Sequence, residues 1–365
     1  MRVQEQATAH LSWRGPARTG LVAAVLLLLA VGPAAAPAQD FSSMPSYAPM
    51  RQVSGVIRIR GDEHQSAMLK NWERAFHQYQ PSVSFDDHLT STAHGIPALV
   101  FGLADLALLG REIAPLESLS FRRMFRYDPL EITIATGSYD TQYEAYALGV
   151  FVNKENPISR LTLTQLASIF GCGYGGNIRT WGQLGLKGEW AHRRIHVLGY
   201  PTGNNIAAFF ALKVFKAAAG GGPTLPNGPR WSCDLKEYAN TYDANDKPII
   251  SSDAFMMKDL GKDKYAIAYS GIKEKTASVK ALALAQKEGG PFVSFSLETV
   301  KDRTYPLTRS IYVYVNKSPE RPLPPAAVEF LRFILSTQGQ ESITQQRVFL
   351  PLTADEVNRQ LKKLQ

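Results

Sequence analysis

The sequence has only two cysteines, Cys172 and Cys233, among its 365 residues. Neither belongs to a Cys-x-x-Cys pair or to a cysteine–histidine cluster with metal-ligand spacing, so we expect no metal centre and no cofactor. In an oxidising compartment two cysteines can form a single bridge, and we predict a disulfide between Cys172 and Cys233. Two free or buried thiols are the alternative.

The sequence also lacks the motifs of common hydrolytic and nucleotide-binding sites. It contains no Gly-x-Ser-x-Gly, His-Glu-x-x-His or phosphate-binding-loop pattern. His64 and His94 could face a cleft, but histidines at turns more often form hydrogen bonds than bind metals. We therefore predict no catalytic residues and no enzyme, and an exported enzyme is the least favoured alternative. Aromatic residues are not interleaved with basic clusters, so nucleic acid is not an expected partner.

Long apolar runs are scarce, and the one near the amino terminus, Leu21–Val31, is too short to span a membrane. A basic start precedes it, and Ala36-Pro37-Ala38 suits cleavage before Gln39. We predict a signal peptide over residues 1–38 and a periplasmic protein without stable membrane insertion. The formal net charge is +8, of which the predicted signal contributes +2, leaving +6. That charge weakly favours anionic partners.

The most informative stretch begins at Ser91 and Thr92 and ends at Glu112. Hydroxyl residues at a helix start suit a site where free backbone N–H groups face a ligand. Leu106–Leu109 is typical of a strand buried on both faces, and the charged Arg111 follows it at the edge where open α/β sheets bind ligands. An ordinary α/β unit with a capped helix is the structural alternative.

Strands and helices alternate along the chain. Val56–Arg60 reads as a strand that leads through the turn Asp62–Ser66 into an amphipathic helix. Ile195–Leu198 leads in the same way through Gly199–Asn205 into a second helix. This alternation predicts an α/β fold with parallel sheets, whose strand-to-helix turns share one edge.

Nearly the whole chain after the predicted signal resembles the periplasmic phosphate-binding-protein-like family, the substrate receptors of ABC importers. Each motif alone is weakly specific, but their order and spacing are typical of the family. The motifs are the strand and turn ending at His64, Trp72, ADLALLGRE at Ala104–Glu112, TWGQLGLKGEW at Thr180–Trp190, the turn after Leu198, YAIAYSGI at Tyr265–Ile272 and FLPLTADEV at Phe349–Val357.

The resemblance implies a type II periplasmic binding fold with two α/β lobes, parallel-rich sheets and a hinge of crossing strands. We expect a flexible lead-in over residues 39–52, with the first lobe built from residues 53–147 and 268–365. The second lobe would comprise residues 148–267. The resemblance also implies an ABC permease as partner, and we expect a monomer.

The resemblance also implies how phosphate is held in this family. The binding groups are backbone N–H groups at helix starts, Ser and Thr hydroxyls, an Arg and an Asp. Here Tyr200 stands where the Arg would be, Asn204 replaces the Ser and Ile206 replaces the Thr. The family's Ser-Asp pair falls on Leu109-Gly110. Arg111 could supply the charge if it turned inward, whereas a surface salt bridge with Glu112 is the alternative.

We predict a protein that captures a small anionic or polar solute, phosphate or another oxyanion, between two lobes for an ABC importer. A sensing or scaffold protein that has lost phosphate binding is the alternative. Hydroxyls, amides, one charge and two stacking or hydrogen-bonding rings would form the cleft. The predicted ligand-binding residues are His64, Ser91, Thr92, Arg111, Tyr200, Thr202, Asn204 and Asn205.

Overall fold

The computed structural model describes residues 41–141, 145–172, 177–218, 230–242 and 248–365. The predicted signal peptide lies outside the described residues. Across the described part of the chain, no helix combines the length and the apolar character needed to cross a bilayer.

Strands and helices alternate as the sequence pattern predicts. The strands are β1 (Gly55–Gly61), β2 (Val83–Leu89), β3 (Leu106–Leu109), β4 (Leu130–Thr136), β5 (Gly149–Asn153), β6 (Arg160–Thr162), β7 (His196–Gly199), β8 (Leu235–Glu237), β9 (Thr241–Tyr242), β10 (Pro248–Ile250), β11 (Ala266–Ser270), β12 (Val279–Ala281), β13 (Ala283–Ala285) and β14 (Ser310–Val315). The helices are α1 (Ser66–His77), α2 (Thr92–Val100), α3 (Pro115–Phe125), α4 (Leu163–Phe170), α5 (Asn205–Ala218), α6 (Ser252–Lys262), α7 (Leu297–Lys301), α8 (Pro325–Ile334), α9 (Thr337–Thr344) and α10 (Ala354–Lys362).

The first sheet has the strand order β2-β1-β3-β14-β4. Its first three strands are parallel, and β14 runs antiparallel to both of its neighbours. Alternate residues of β3 face opposite sides: Leu106 and Leu108 belong to the core with α1 and α8, whereas Ala107 and Leu109 belong to the core with α2 and α3. Burial on both faces explains the unbroken apolar run that predicted this strand.

The second sheet has the order β12-β5-β11-β7-β8, in which β11, β7 and β8 are parallel. Its core joins α4 and α5 to β11 through aromatic rings. The ring of Phe210 stacks on Tyr269 with centroids 3.9 Å apart, and Phe170 meets Tyr269 edge-on at 5.4 Å. These large buried side chains fix α5, and therefore its amino-terminal turn, against the sheet.

The structure differs from the predicted segment boundaries at two places. The predicted lead-in packs against α1 and α8, because Met44 and Tyr47 are buried and the Tyr47 hydroxyl donates to Glu329 at 2.8 Å. The predicted lobe boundary at residue 267 falls inside β11, and β12 carries the second sheet onward to Ala281. Pairing between β11 and β5 decides this, and that contact is not visible in local sequence.

The predicted disulfide is not formed in the structure, where Cys172 and Cys233 are free thiols. An isolated antiparallel bridge pairs Gly171 with Trp231, and the N–H of Cys172 donates to the carbonyl of Arg230 at 2.8 Å. The Cys172 sulfur instead accepts a hydrogen bond from Arg179 at 3.6 Å.

Candidate functional site

The strand-to-helix turns of the two sheets meet at a polar cavity of about 250 Å³. On the first-sheet side it is bounded by the ends of β1 and β3 and the start of α2, and on the second-sheet side by the starts of α5 and α6. The lining residues are Asp62, Glu63, His64, Ser91, Thr92, Gly110, Arg111, Ala145, Tyr146, Asn204, Asn205, Ile206, Asn240, Ser252, Asp253 and Arg309.

Asp62 follows β1 and is 8 % exposed. Its carboxylate accepts hydrogen bonds from the ring Nδ1 of His64 at 2.7 Å and from Gln65 Nε2 at 3.1 Å, and it interacts with the Thr92 side chain. Burial acts to raise the pKa of Asp62, but these hydrogen bonds outweigh burial and lower it to about 2. Asp62 is therefore ionised at neutral pH.

The predicted hydroxyl residues lie at the cavity wall. Ser91 caps α2, because its Oγ accepts from the N–H of Ala93 at 3.3 Å. Thr92 is the first residue of the helix and lines the cavity beside it. The first-turn N–H groups of Ala93 and His94 are held by Ser91, through its Oγ and its carbonyl oxygen, so α2 presents chiefly the positive end of its helix dipole to the cavity.

Arg111 lines the cavity, and its guanidinium is already paired with a carboxylate. Its two terminal nitrogens each donate to a carboxylate oxygen of Glu117 at 2.8 Å, and one also donates to the carbonyl of Glu112 at 3.0 Å. Although burial acts to lower the pKa of Arg111, the ion pair with Glu117 raises it above its ordinary value. The alternative of a salt bridge with Glu112 is therefore wrong, since the carboxylate partner is Glu117.

Arg309, just before β14, is the cavity cation that the sequence analysis missed. Its side chain is buried, and one terminal nitrogen donates to the carbonyl of Gly110 at 3.0 Å. Its buried Nε has no hydrogen-bond partner, and no carboxylate of the described residues lies within salt-bridge distance of it. Burial lowers the pKa of Arg309, yet an arginine keeps its proton at neutral pH. Glu112 and Asp62 act on this charge only from beyond salt-bridge distance, and a buried charge without an ion pair at a cavity wall favours an anion.

On the opposite side, Asn204 and Asn205 start α5 and line the cavity. Asn204 is a cap residue, since its Oδ1 accepts from the N–H of Ile206 at 2.7 Å. Thr202 lies outside the cavity, where its N–H donates to Glu237 at 3.1 Å. The structure therefore does not bring Thr202 to this cavity, and its role in binding stays a prediction.

Tyr200 is fully buried behind the cavity wall rather than in it. Its hydroxyl donates to Asp253, which also accepts from the hydroxyls of Tyr146 and Ser270, each at 3.3 Å. Burial raises the pKa of Tyr200 well above its ordinary value, so the phenol stays protonated. Tyr200 therefore orients Asp253, which lines the cavity at the start of α6.

The structure thus brings six of the eight predicted residues to one cavity and excludes Tyr200 and Thr202. It adds Asp62, Asp253 and Arg309. Ser251-Ser252-Asp253 repeats the polar helix-start pattern that identified the other turns, so local sequence contained a signal for Asp253. Arg309 has only a weak one, a charge placed just before a buried strand.

One group of residues has the composition of a metal site. Asp62, Glu63 and His64 offer ligand atoms within 4.8 Å of one another. The His64 ring and the Asp62 carboxylate already share a hydrogen bond, so two of the candidate ligand atoms satisfy each other. The expectation that no metal is bound stays a prediction.

The fold has two sheets, each packed with helices, and the strand-to-helix turns of both sheets enclose a polar cavity. This arrangement is typical of two-lobed binding proteins, which close around a ligand. A family profile described as the PBP superfamily domain matches residues 46–338. The phosphate-binding protein PstS of Pseudomonas aeruginosa is 31 % identical over 349 residues, which cover 94 % of this chain and 98 % of that protein. The chain therefore belongs to the PBP superfamily, and the predicted resemblance to the phosphate-binding-protein-like family is confirmed.

Solved structures support the same fold. An ABC-type phosphate transport receptor from Vibrio cholerae has a TM-score of 0.51 at 18 % identity, covering 81 % of this chain and 99 % of that one. PstS from Borrelia burgdorferi has a TM-score of 0.54 at 14 % identity, covering 82 % and 100 %. The predicted two-lobe fold is confirmed, and membership of a family of binding proteins confirms that the chain is not an enzyme.

Proposed function

We propose that this chain is an exported, periplasmic solute-binding protein that captures a small tetrahedral oxyanion, with phosphate as the first candidate, for an ABC importer. The observation that supports it best is Arg309, a buried guanidinium at the cavity wall without a carboxylate partner among the described residues. The name of the Pseudomonas aeruginosa relative, a phosphate-binding protein, points to phosphate.

The remaining donors suit an oxyanion as well. The helix starts at Thr92 and Asn205 approach the cavity from opposite sides, and each presents the positive end of a helix dipole to it. Two carboxylates, Asp62 and Asp253, could accept the proton of a hydrogen phosphate and would repel an anion that has none. Phosphate is therefore a better candidate than sulfate.

The sensing or scaffold alternative was favoured by the loss of the family's arginine at Tyr200. Arg309 weakens that argument, because it supplies a cation to the same cavity from another part of the chain. If no oxyanion binds, the alternative becomes the better hypothesis.

A titration of the purified protein tests the proposal. Isothermal calorimetry and thermal-shift measurements with phosphate, sulfate, molybdate and organic phosphonates should give a saturable signal for phosphate. Arg309→Met should weaken binding by about a hundredfold, because charge-assisted hydrogen bonds contribute about 1.5–3 kcal/mol each. Wild-type protein that responds to none of these anions would contradict the proposal.

A matched variant separates binding from folding. Arg303, six residues earlier, is also partly buried and donates to Thr136 and Ser310, but it does not line the cavity. Arg303→Lys should keep the wild-type affinity. Equal losses in the Arg303 and Arg309 variants would mean that general destabilisation, not anion recognition, explains the effect.

A further inference from the structure

An ion pair joins the two sheets beside the cavity. Lys213 Nζ in α5, which packs on the second sheet, lies 2.5 Å from Glu112 Oε1 in the connection after β3 of the first sheet. Among the ion pairs of the described residues, this is the one that links elements of the first sheet to elements of the second.

The surroundings make this pair sensitive to the separation of the sheets. The Glu112 side chain is 18 % exposed and also accepts from the Tyr312 hydroxyl at 3.0 Å. Burial acts to raise the pKa of Glu112, but Lys213 lowers it below its ordinary value, so the carboxylate is charged where water is scarce. Without Lys213, the arrangement would leave a desolvated charge held only by neutral hydrogen-bond donors.

Phe209 connects the pair to the cavity. Its ring lies in α5, with the Arg309 guanidinium carbon 5.0 Å and Lys213 Nζ 5.7 Å from its centroid. The ring is buried, so two cations from different sheets pack on the same aromatic side chain. Moving α5 away from Glu112 would therefore also remove the surface that holds Arg309.

We propose that the Glu112–Lys213 pair, acting through Phe209, holds the two sheets together over the cavity and positions Arg309, and thereby sets the affinity of the site. When only part of the population has the closed arrangement, the apparent dissociation constant rises by the reciprocal of that fraction. The pair acts as a positioning pair, since neither residue lines the cavity. Its binding readout rests on the proposed oxyanion function.

The test is a double-mutant cycle with Lys213→Met and Glu112→Gln, measured with inorganic phosphate by stopped-flow kinetics. Each single variant should release phosphate about tenfold faster with little change in association rate, and the double variant should lose no more than the worse single one. Lys213→Arg, and the exchange of charges in Glu112→Lys with Lys213→Glu, should restore slow release. Additive losses, or single variants with wild-type release rates, overturn the proposal.

Small-angle scattering of the ligand-free variants keeps the test independent of the ligand. Lys213→Met should raise the radius of gyration and Lys213→Arg should not. Lys236→Met is the matched control, because Lys236 pairs with Asp259 at 3.0 Å within the second-sheet unit. If the wild-type protein binds no phosphate, the proposed function fails, but scattering still tests whether the ion pair holds the two sheets together. An unchanged radius of gyration in Lys213→Met overturns that role.

Discussion

The hydroxyl of Tyr200 donates a hydrogen bond to Asp253, which places a buried phenol directly behind a cavity carboxylate. Tyr200 is the residue that stands where the family's arginine was expected. At this position the chain therefore has a side chain that orients a cavity carboxylate rather than a cation. The buried cation at the cavity wall is instead Arg309, which lies more than a hundred residues later in the sequence. Arg309 is attached to the first sheet through its hydrogen bond to the Gly110 carbonyl.

Tyr200→Phe should destabilise the protein by about 1–3 kcal/mol, because a buried carboxylate loses one of its donors. Urea denaturation followed by circular dichroism measures this change. Tyr238→Phe is the control, since that hydroxyl donates to the more exposed Asp259 at 2.7 Å and its loss should cost less. Equal stability losses in the two variants would contradict the role assigned to Tyr200.

Acid should destabilise the protein partly through Asp62. Its folded-state pKa, about 2, lies below its ordinary value of 3.8, so the unfolded chain binds more protons in that interval. The resulting stability, about 2 kcal/mol, is present above pH 4 and is lost as the pH falls towards 2.

Urea unfolding between pH 6 and pH 2 tests this dependence. Asp62→Asn should flatten the acid limb of the stability profile. Asp86→Asn serves as the control because Asp86 pairs with Arg60 at a more exposed position, where the carboxylate is 39 % exposed. If the free energy of unfolding falls as steeply with decreasing pH in Asp62→Asn as in the wild type, Asp62 is not a source of the acid sensitivity.

Gly61→Ala should unfold or strongly destabilise the protein. Gly61 has a φ of +148°, and a Cβ there would lie 1.9 Å from the carbonyl oxygen of Leu108 in β3. The clash is with backbone, so β1 would have to move away from β3 together with the turn that holds Asp62. Gly203→Ala is the control, because a Cβ at Gly203 meets nothing within 4 Å. Thermal denaturation of both variants checks the prediction, and a normal melting temperature for Gly61→Ala would refute it.

Both cysteines should react as thiols in the native protein. Alkylation with iodoacetamide without reductant, followed by mass spectrometry, should modify the exposed Cys233 first and then Cys172, which is only partly exposed. Reductant should leave the melting temperature unchanged. An unmodified chain two mass units lighter than the reduced form would instead reveal a disulfide between the two cysteines and contradict this prediction.

Local sequence determined the strand, turn and helix pattern, because each of these signals depends on neighbours along the chain. The buried run Leu106–Leu109 is confirmed as a strand. Helices α3 and α9 were not predicted from the sequence.

Tertiary structure alone decided the charges of the site. Whether Arg111 faces a ligand or a carboxylate depends on Glu117, six residues away on α3, and Arg309 reaches the cavity only because β14 pairs with β3. Side-chain partners across such distances leave no local periodicity. Local sequence therefore predicted the scaffold and the turns that form the cavity. Which cation and which carboxylates line that cavity, and the Glu112–Lys213 contact between the sheets, depend on how distant chain segments pack together.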